Sequence, residues 1–274
     1  MEMSPVSARM LAGILEQRTG QMLSDGRHWR LDIALDTLIR THGFGSADAV
    51  AAAVAGGRDP ALSDAVVEAL LNNETSFFRD PLSFGLLIDR ALPQVMAARP
   101  DRTLRIWSAG CSTGQEAYSI AMALAGIAAL DDWRIDIVAT DVSQAAIKQA
   151  RDGEYSQFEI QRGLAVRQLV RWFDGEGDVW RARPELRARV RFHTLSVLDA
   201  PPLPARFDII LCRNVLFYFS DAVRRRAFQR LARAAAPDAF LLLGAGETAI
   251  DQTGYFTSDV DNRGLYRPVD HRAA

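Results

Sequence analysis

The apolar positions of the N-terminal part recur three and four residues apart, the spacing that places them on one face of a helix. This spacing predicts helices over residues 7–18, 29–41, 46–54 and 61–71, with glycine-containing breaks between them. No strand pattern occurs in this part of the sequence. We therefore predict a helical domain over residues 1–72, followed by a linker and connecting helix over residues 73–100.

From about residue 102, short apolar runs alternate with amphipathic segments, a pattern typical of a parallel sheet covered by helices on both faces. It predicts an α/β fold with a doubly wound, mostly parallel sheet over residues 101–274. Strands are predicted at 104–108, 135–140, 190–195, 207–212 and 240–243, and helices at 115–129, 143–151 and 221–235. A glycine-rich segment predicts a β lobe inserted at about 173–191, and residues 254–266 could add a final strand pair.

Composition narrows the class of protein without identifying it. The 274 residues are 49% hydrophobic and 24% charged, enough for a sizeable core, and the net charge of -2 gives no global attraction to nucleic acid or to an anionic membrane. Two cysteines and four scattered histidines predict neither a disulfide framework nor a metal site. Because no secretion signal or long apolar stretch is present, we expect a soluble, cytoplasmic protein. We also expect a monomer.

A glycine turn joins the first predicted strand to its helix, in the sequence Gly110-Cys-Ser-Thr-Gly114-Gln-Glu116. Open α/β sheets bind nucleotides at such a turn, because glycines let a ligand approach the backbone closely. The sequence has neither the lysine of a P-loop nor the GxGxxG spacing of a dinucleotide site. Glu116 would repel a pyrophosphate but not a cation, which favours S-adenosylmethionine. The alternative is a tight connection that binds no ligand.

Polar residues end two further predicted strands. Asp141 follows the second strand and could accept hydrogen bonds from both ribose hydroxyls of an adenosine, or it could cap the helix that begins near Ser143. Arg213 and Asn214 follow the apolar run at 207–211 and either line a site or belong to an ordinary loop.

Four motifs, taken in order, resemble the chemotaxis receptor methyltransferase family, CheR, from about residue 10 to residue 267. They are Asn72-Asn-Glu-Thr-Ser-Phe-Phe-Arg79-Asp, Trp107-Ser-Ala-Gly-Cys-Ser-Thr-Gly-Gln-Glu-Ala-Tyr-Ser119, Ala139-Thr-Asp141 and Cys212-Arg-Asn-Val-Leu-Phe-Tyr-Phe219. The resemblance implies a class I methyltransferase-like fold. It also implies transfer of a methyl group from S-adenosylmethionine, leaving S-adenosylhomocysteine, to glutamate side chains of chemotaxis receptors.

The resemblance also implies roles for single residues. Cofactor contacts are expected at Asn73, Thr75, Arg79, Glu116, Asp141, Ser196, Val197, Arg213 and Asn214. The pair Ser196-Val197 stands where the family has Asn-Leu, so that contact would be weaker or bridged by water. Tyr218 matches the family's active-site tyrosine, and an active-site arginine falls near Arg90. The alternative for Tyr218 is an aromatic ring packed at the edge of the sheet with its hydroxyl in water.

A basic segment of the predicted lobe suggests where a receptor could dock. Its arginines would share one face of an extended segment. They are Arg181, Arg183, Arg187, Arg189 and Arg191. The family uses this lobe for receptor attachment, and cytoplasmic receptor helices are therefore the expected partner. The alternative is a solvated surface without a partner.

Two other functions remain open from the sequence. A nucleic-acid methyltransferase would need an Asn-Pro-Pro-Tyr type pocket after the fourth strand, where this chain has Arg213-Asn-Val-Leu216, so nucleic acid is not expected as a partner. A non-catalytic sensor would bind S-adenosylmethionine or its product without forming a methyl ester.

Overall fold

The structure, a computed structural model, describes residues 3–23, 29–202 and 206–269. The chain divides into two compact units. The first comprises Met1–Asn72 together with Tyr218–Ser220, and the second comprises Asn73–Phe217 together with Asp221–Ala274. In the part of the chain that is described, no helix combines the length and the apolar character needed to cross a membrane.

Within residues 3–23 and 29–72, the first unit contains four helices, as the apolar spacing predicts. They are α1 (Pro5–Thr19), α2 (Trp29–His42), α3 (Ala47–Ala55) and α4 (Pro60–Leu70). The side chains of Ser4, Ser46 and Asp59 accept backbone N–H bonds at the starts of α1, α3 and α4, which satisfies N–H groups that have no partner within the helix. The segment Tyr218–Ser220 joins this unit because the N–H of Met22 donates to the carbonyl of Tyr218 at 2.8 Å.

Among the described residues, the second unit contains the ten strands and the remaining helices. In chain order the strands are β1 (Thr103–Ala109), β2 (Arg134–Asp141), β3 (Glu154–Ser156), β4 (Phe173–Glu176), β5 (Val179–Ala182), β6 (Val190–Thr194), β7 (Phe207–Cys212), β8 (Ala235–Leu243), β9 (Phe256–Ser258) and β10 (Leu265–Pro268). The helices are α5 (Pro81–Leu86), α6 (Leu92–Ala98), α7 (Gln115–Leu124), α8 (Gln144–Asp152), α9 (Gln157–Gln161), α10 (Val166–Trp172), α11 (Pro184–Arg187) and α12 (Asp221–Ala234). A π-helical turn, Leu87–Ala91, connects α5 to α6.

A seven-stranded sheet in the order β6-β2-β1-β7-β8-β10-β9 confirms the predicted doubly wound α/β fold. Strands β6, β2, β1, β7 and β8 are parallel, and β10 runs antiparallel to β8 and β9. The strand order reverses between β1 and β7, and sheets of this kind bind ligands beyond the carboxyl ends of the strands at such a reversal. We call the carboxyl ends of β6, β2, β1, β7 and β8 the carboxyl edge.

The predicted bounds of the inserted lobe are wrong. The lobe is a separate three-stranded sheet in the order β3-β5-β4, so it begins near Glu154 and ends at Ala182. Residues 190–194 belong instead to the large sheet, where β6 pairs with β2 over Ile137–Asp141. The start of the lobe was not predictable from the sequence, because β3 has only three residues, too few to show an alternation of apolar and polar positions.

The five arginines after β4 do not form one basic face, which corrects the prediction of an extended ribbon. Arg181 lies on β5 and pairs with Glu154, and Arg183 pairs with Asp174. Arg187 ends the helix α11, and its Nε is buried. Arg189 lies over the ring of Trp172. Arg191 lies on β6 of the large sheet and pairs with Asp136 of β2. The helix starting at Pro184 breaks the period of two that the ribbon requires.

Candidate functional site

The glycine turn, Gly110–Gly114, lies between β1 and α7 at the carboxyl edge. Gly110 and Gly114 have φ angles of 80° and 95°, which favour glycine. A Cβ at Gly110 would lie 2.4 Å from Cγ2 of Val215, and one at Gly114 would lie 2.8 Å from Cβ of Ala150. Close packing against the loop after β7 and against α8 therefore requires both glycines. Contacts within the protein therefore fix the conformation of the turn without a ligand.

Asp141, the last residue of β2, holds the glycine turn from the neighbouring strand. Its Oδ2 accepts from the N–H of Ser112 at 2.8 Å, and its Oδ1 accepts from the N–H of Ser143 at 3.0 Å. Ser143 is the N-cap of α8, since its own hydroxyl accepts from the N–H of Ala146. The alternative that Asp141 itself caps this helix is therefore wrong. A carboxylate fixed by two backbone donors stands at the carboxyl edge, next to the point where the strand order reverses.

Glu116 and Arg213 form a buried ion pair below the turn. Oε1 of Glu116 accepts from the hydroxyl of Ser108 at 2.7 Å, and Oε2 accepts from Nη1 of Arg213 at 3.0 Å. Nη2 of Arg213 donates to the carbonyl of Arg79 at 2.8 Å and lies 3.5 Å from Oδ2 of Asp80. The charge of Glu116 is therefore balanced within the protein, a pairing that the sequence did not reveal.

Asp80 is held as a carboxylate by its neighbours. Burial alone would raise the pKa of Asp80, but the Ser83 hydroxyl and the Arg213 guanidinium lower that pKa below its usual value. Arg213 thus connects the sheet to residues on both sides of the Arg79–Asp80 peptide bond.

The linker motif, residues 73–80, runs beside the glycine turn. The carbonyl of Asn73 accepts from the hydroxyl of Ser112 at 2.7 Å, and the N–H of Phe78 donates to the hydroxyl of Ser119 at 2.9 Å. Phe78 and Asp80 have φ angles of 46° and 60°, a conformation that costs a non-glycine residue roughly 1–2 kcal/mol. Such strain on both sides of Arg79 persists only because these contacts hold the backbone.

Thr75 and Arg79 are both partly exposed within this motif. Nη1 of Arg79 donates to the carbonyl of Glu74 at 2.9 Å, which fixes one edge of its guanidinium. The cofactor-binding candidates Asn73, Thr75 and Arg79 therefore belong to one constrained segment that is attached to the glycine turn.

Ser196 and Val197 follow β6 and reach the same edge of the sheet. The N–H of Leu195 donates to the backbone carbonyl of Asp141 at 2.8 Å, so the segment begins beside the end of β2. The hydroxyl of Ser196 accepts from the N–H of Leu198 at 3.2 Å, and Val197 is buried. The serine that stands in place of the family's asparagine is thus engaged with its own loop.

Asn214 begins the loop after β7 with a φ angle of 61°. Its N–H donates to Oε2 of Glu247 at 2.7 Å. Glu247 lies after β8 and was not a candidate from the sequence, although it ends the glycine-rich stretch Gly244-Ala-Gly-Glu247. The available signal was an acidic residue in the short glycine-rich segment that follows a strand of the carboxyl edge.

Arg90 and Tyr218 are the two residues expected at the reacting centre. Arg90 is exposed in the π-helical turn between α5 and α6. Asp80, just before α5, contacts Arg213 at the carboxyl edge, whereas Arg99, just after α6, pairs with Asp208 near the amino end of β7. Arg90 therefore lies midway along the connecting helix, and the structure does not bring it to the carboxyl edge.

Tyr218 belongs to the first unit, where Nδ2 of Asn72 donates to its hydroxyl. The ring is thus held through a specific hydrogen bond in that unit, and its carbonyl is bonded to Met22. This differs from an aromatic ring at a sheet edge whose hydroxyl contacts only water.

Two cysteines, Cys111 and Cys212, lie at the carboxyl edge, and their surroundings raise the pKa of both thiols. Burial raises the pKa of Cys111 well above its usual value, and the carboxylates of Asp141 and Glu116 raise it further. Burial also raises the pKa of Cys212, with the carboxylates of Glu247 and Glu116 adding to the effect. Both cysteines are therefore neutral thiols and poor nucleophiles.

One donor in the cluster has no protein acceptor. Nε of Arg213 is buried and has no hydrogen-bond partner among the described residues. A buried guanidinium N–H without an acceptor is costly, so it suits an anionic or polar ligand group. The cluster therefore suits a ligand that brings a hydrogen-bond acceptor to this N–H, as S-adenosylmethionine can. No group of three potential metal ligands occurs within residues 3–23, 29–202 and 206–269.

Comparison with known proteins gives consistent matches to one family. The family described as CheR methyltransferase, SAM binding domain, matches residues 73–262. Chemotaxis protein methyltransferase 1 of Pseudomonas aeruginosa is 36% identical over 238 residues, which cover 85% of this chain and 86% of that protein. The chemotaxis protein methyltransferase of Vibrio parahaemolyticus is 33% identical over 261 residues, 94% of each chain. The matched range contains the glycine turn, Asp141 and the Glu116–Arg213 pair.

Solved structures give weaker matches. The magnesium protoporphyrin IX methyltransferase (ChlM) of Synechocystis PCC 6803 with bound SAM is 18% identical, covering 59% of this chain and 58% of that chain at a TM-score of 0.33. PKMT2 of Rickettsia typhi in complex with AdoHcy is 16% identical, covering 52% and 21% of the two chains at a TM-score of 0.34.

Proposed function

Because the chain belongs to the CheR methyltransferase family, we propose that its carboxyl edge transfers a methyl group from S-adenosylmethionine to glutamate side chains of chemotaxis receptors. The chain is a methyltransferase, and S-adenosylmethionine is its cofactor. One observation carries the assignment of the site. The family match spans the carboxyl edge, where the glycine turn, Asp141 and the buried Glu116–Arg213 pair form one hydrogen-bonded cluster.

The cluster suggests how the cofactor is held. We assign the ribose hydroxyls to Asp141, since a carboxylate has about four lone-pair sites and two backbone donors already fix its direction. The buried Nε of Arg213 would donate to an acceptor of the cofactor, and Asn214, Ser196 and Val197 would border the adenosine. Arg79, in the constrained linker motif, would pair with the cofactor's carboxylate, a contact suited to a planar guanidinium.

Bound S-adenosylmethionine supplies an electrophilic methyl group on a positively charged sulfur. A glutamate side chain with a reference pKa near ~4.3 is already ionised at neutral pH, so the chain needs no general base. Its residues must instead hold the attacking oxygen in line, which can contribute several kcal/mol of avoided entropy cost. We assign that task to the hydroxyl of Tyr218, which can donate to the carboxylate while accepting from Asn72. Arg90 is left out because its side chain is exposed midway along the connecting helix.

The lobe offers a surface for the receptor that differs from the predicted ribbon. Three apolar side chains of α9 and α10 are strongly exposed, Phe158 at 68%, Val166 at 75% and Val170 at 67%. We call them the lobe face. Val166 and Val170 lie four residues apart on one side of α10, with Arg167 and Arg171 beside them. We propose that this face binds receptor chains of acidic and apolar character in the cytoplasm.

Incubating the purified chain with methyl-labelled S-adenosylmethionine and a receptor cytoplasmic fragment tests the function. We expect methyl groups that are released by base as methanol, and no label on a fragment whose glutamates are replaced by glutamine. A sample that binds S-adenosylhomocysteine in calorimetry yet never labels a panel of receptor fragments would instead be a sensor. Label on added DNA or RNA would indicate a nucleic-acid methyltransferase. Either result would overturn the proposal.

A further inference from the structure

The side chain of Glu247 is surrounded by backbone donors. Oε1 accepts from the N–H groups of Val215, Leu216 and Phe217 at 3.0, 2.7 and 3.2 Å. Oε2 accepts from the N–H groups of Asn214 and Gly244 at 2.7 and 2.9 Å. One carboxylate therefore accepts five backbone hydrogen bonds, four of them from consecutive residues.

This arrangement determines the shape of the loop after β7. Consecutive N–H groups that converge on one point create a local positive potential and need an anion at that point. Without one, several buried or half-buried donors would lack acceptors, and the left-handed conformation of Asn214 would lose its support. Charge-assisted bonds of this kind are about twice as strong as neutral ones.

Gly244 makes the close approach possible. A Cβ at Gly244 would lie 2.8 Å from both the backbone N and Nδ2 of Asn214, and 2.9 Å from Oε2 of Glu247. The Asn214 amide therefore rests directly on the backbone of Gly244. The end of β8 and the loop after β7 form one interlocked contact, in which a larger residue at position 244 would separate the two segments.

Two residues of the proposed cofactor site lie here, since Arg213 directly precedes this loop and Asn214 is its first residue, and the loop leads directly into Tyr218. We infer that Glu247 is a positioning residue for methyl transfer, acting through the loop Asn214–Phe217 rather than by touching the cofactor or the receptor. The inference rests on the proposed function for its readout, because cofactor affinity measures whether the loop is correctly placed.

The test compares E247Q with the wild type and with D238N. Glutamine keeps the size of the side chain but turns an NH2 group toward backbone donors, so at least two of the five bonds are lost. Asp238 lies on β8, the strand that precedes Glu247, but near its amino end and away from the carboxyl edge, and D238N is the matched carboxylate-to-amide control. We expect S-adenosylhomocysteine to bind E247Q about tenfold more weakly by calorimetry, with D238N unchanged. The KM of E247Q for S-adenosylmethionine should rise by a similar factor.

The measurement separates positioning from stability. At a temperature well below both Tm values, a residue that only stabilises the fold would lower Tm and leave the affinity of the folded protein unchanged. Wild-type affinity in E247Q would therefore overturn the inference while leaving the proposed function intact. Failure of the wild type to bind S-adenosylhomocysteine would instead overturn the proposed function.

Two further measurements keep the inference testable if E247Q does not fold. G244A retains the carboxylate but inserts a methyl group against Asn214, and we expect a similar loss of affinity. Hydrogen exchange of the wild type requires no variant at all. The amides of residues 214–217 should exchange far more slowly than those of the exposed turn at residues 245–246. Equally fast exchange in both segments would contradict the five hydrogen bonds to Glu247 and overturn the inference.

Discussion

Arg213 donates from Nη1 to Oε2 of Glu116 across 3.0 Å, and the exposed fractions of the two side chains are only 2% and 11%. The same guanidinium donates to the carbonyl of Arg79, so the ion pair joins the sheet to the linker motif. A buried pair of this kind contributes little net stability relative to apolar residues, but breaking it leaves an uncompensated charge. The main role of Glu116 is therefore to hold Arg213 in place.

Removing one partner of this pair should cost more than removing both. We expect Glu116→Leu to lower the free energy of unfolding by about 3–5 kcal/mol, because the Arg213 charge remains buried. Adding Arg213→Met should restore much of that loss without restoring binding of S-adenosylhomocysteine. Urea unfolding at 25 °C measures the first effect and calorimetry the second. A double variant as unstable as Glu116→Leu would contradict the account of the pair.

Asp141 should be needed for cofactor affinity. In Asp141→Asn the amide group must face either Ser112 or Ser143, and the charge is lost, so one of two backbone donors loses its acceptor. We expect S-adenosylhomocysteine to bind about 10 to 100 times more weakly. Asp136→Asn is the matched control, since Asp136 lies on the same strand but pairs with Arg191. Equal affinities of the two variants would remove Asp141 from the site.

The elements with strong local patterns were predictable, and the contacts between distant segments were not. Strand β7 is buried at every position, and its mostly apolar sequence placed Arg213 and Asn214 at the carboxyl edge. Asp141 was found for the same reason, as the polar end of β2. Glu247 was missed because its partner Asn214 lies 33 residues away, and no periodicity relates a side chain to the backbone of another loop. The five arginines were misjudged because Pro184 starts a helix within the supposed strand.

Tyr218 should affect turnover more than cofactor binding. Its hydroxyl accepts from Nδ2 of Asn72 and is proposed to donate to the receptor carboxylate. We expect Tyr218→Phe to lower kcat by about 10- to 100-fold with the KM for S-adenosylmethionine nearly unchanged, since the lost bond acts on the acceptor. Tyr266→Phe, which likewise removes a hydrogen-bonded ring hydroxyl, is the control. Equal losses in kcat and in cofactor affinity would contradict the assigned role.

The lobe face should contribute to receptor binding alone. Arg167→Glu with Arg171→Glu reverses two charges beside Val166 and Val170, so we expect the KM for a receptor fragment to rise several-fold. The effect should shrink at high salt, because exposed charges are screened. The control is Arg225→Glu with Arg226→Glu on α12, where both arginines are exposed. If both pairs raise the KM equally, the effect is one of net charge and not of the lobe.

The amino end of the sheet should show a specific loss of stability in acid. Hydrogen bonds from Arg99 lower the pKa of Asp238, against an opposing effect of burial. A carboxylate whose pKa is lower in the folded state stabilises the fold above its unfolded pKa, and this stabilisation is lost as the pH falls through the folded value.

Asp238→Asn isolates this contribution. The Tm of the wild type should exceed that of the variant at pH 7, and the difference should begin to shrink near the unfolded value of 3.8 and fade below it, where the wild-type carboxyl is itself protonated. Thermal unfolding by circular dichroism at pH 7, 5, 4 and 3 provides the measurement. Asp178→Asn, at an exposed position of the lobe, serves as the surface control. A Tm difference that stayed constant from pH 7 to pH 3 would mean that Asp238 stabilises the fold through its shape and not through its charge.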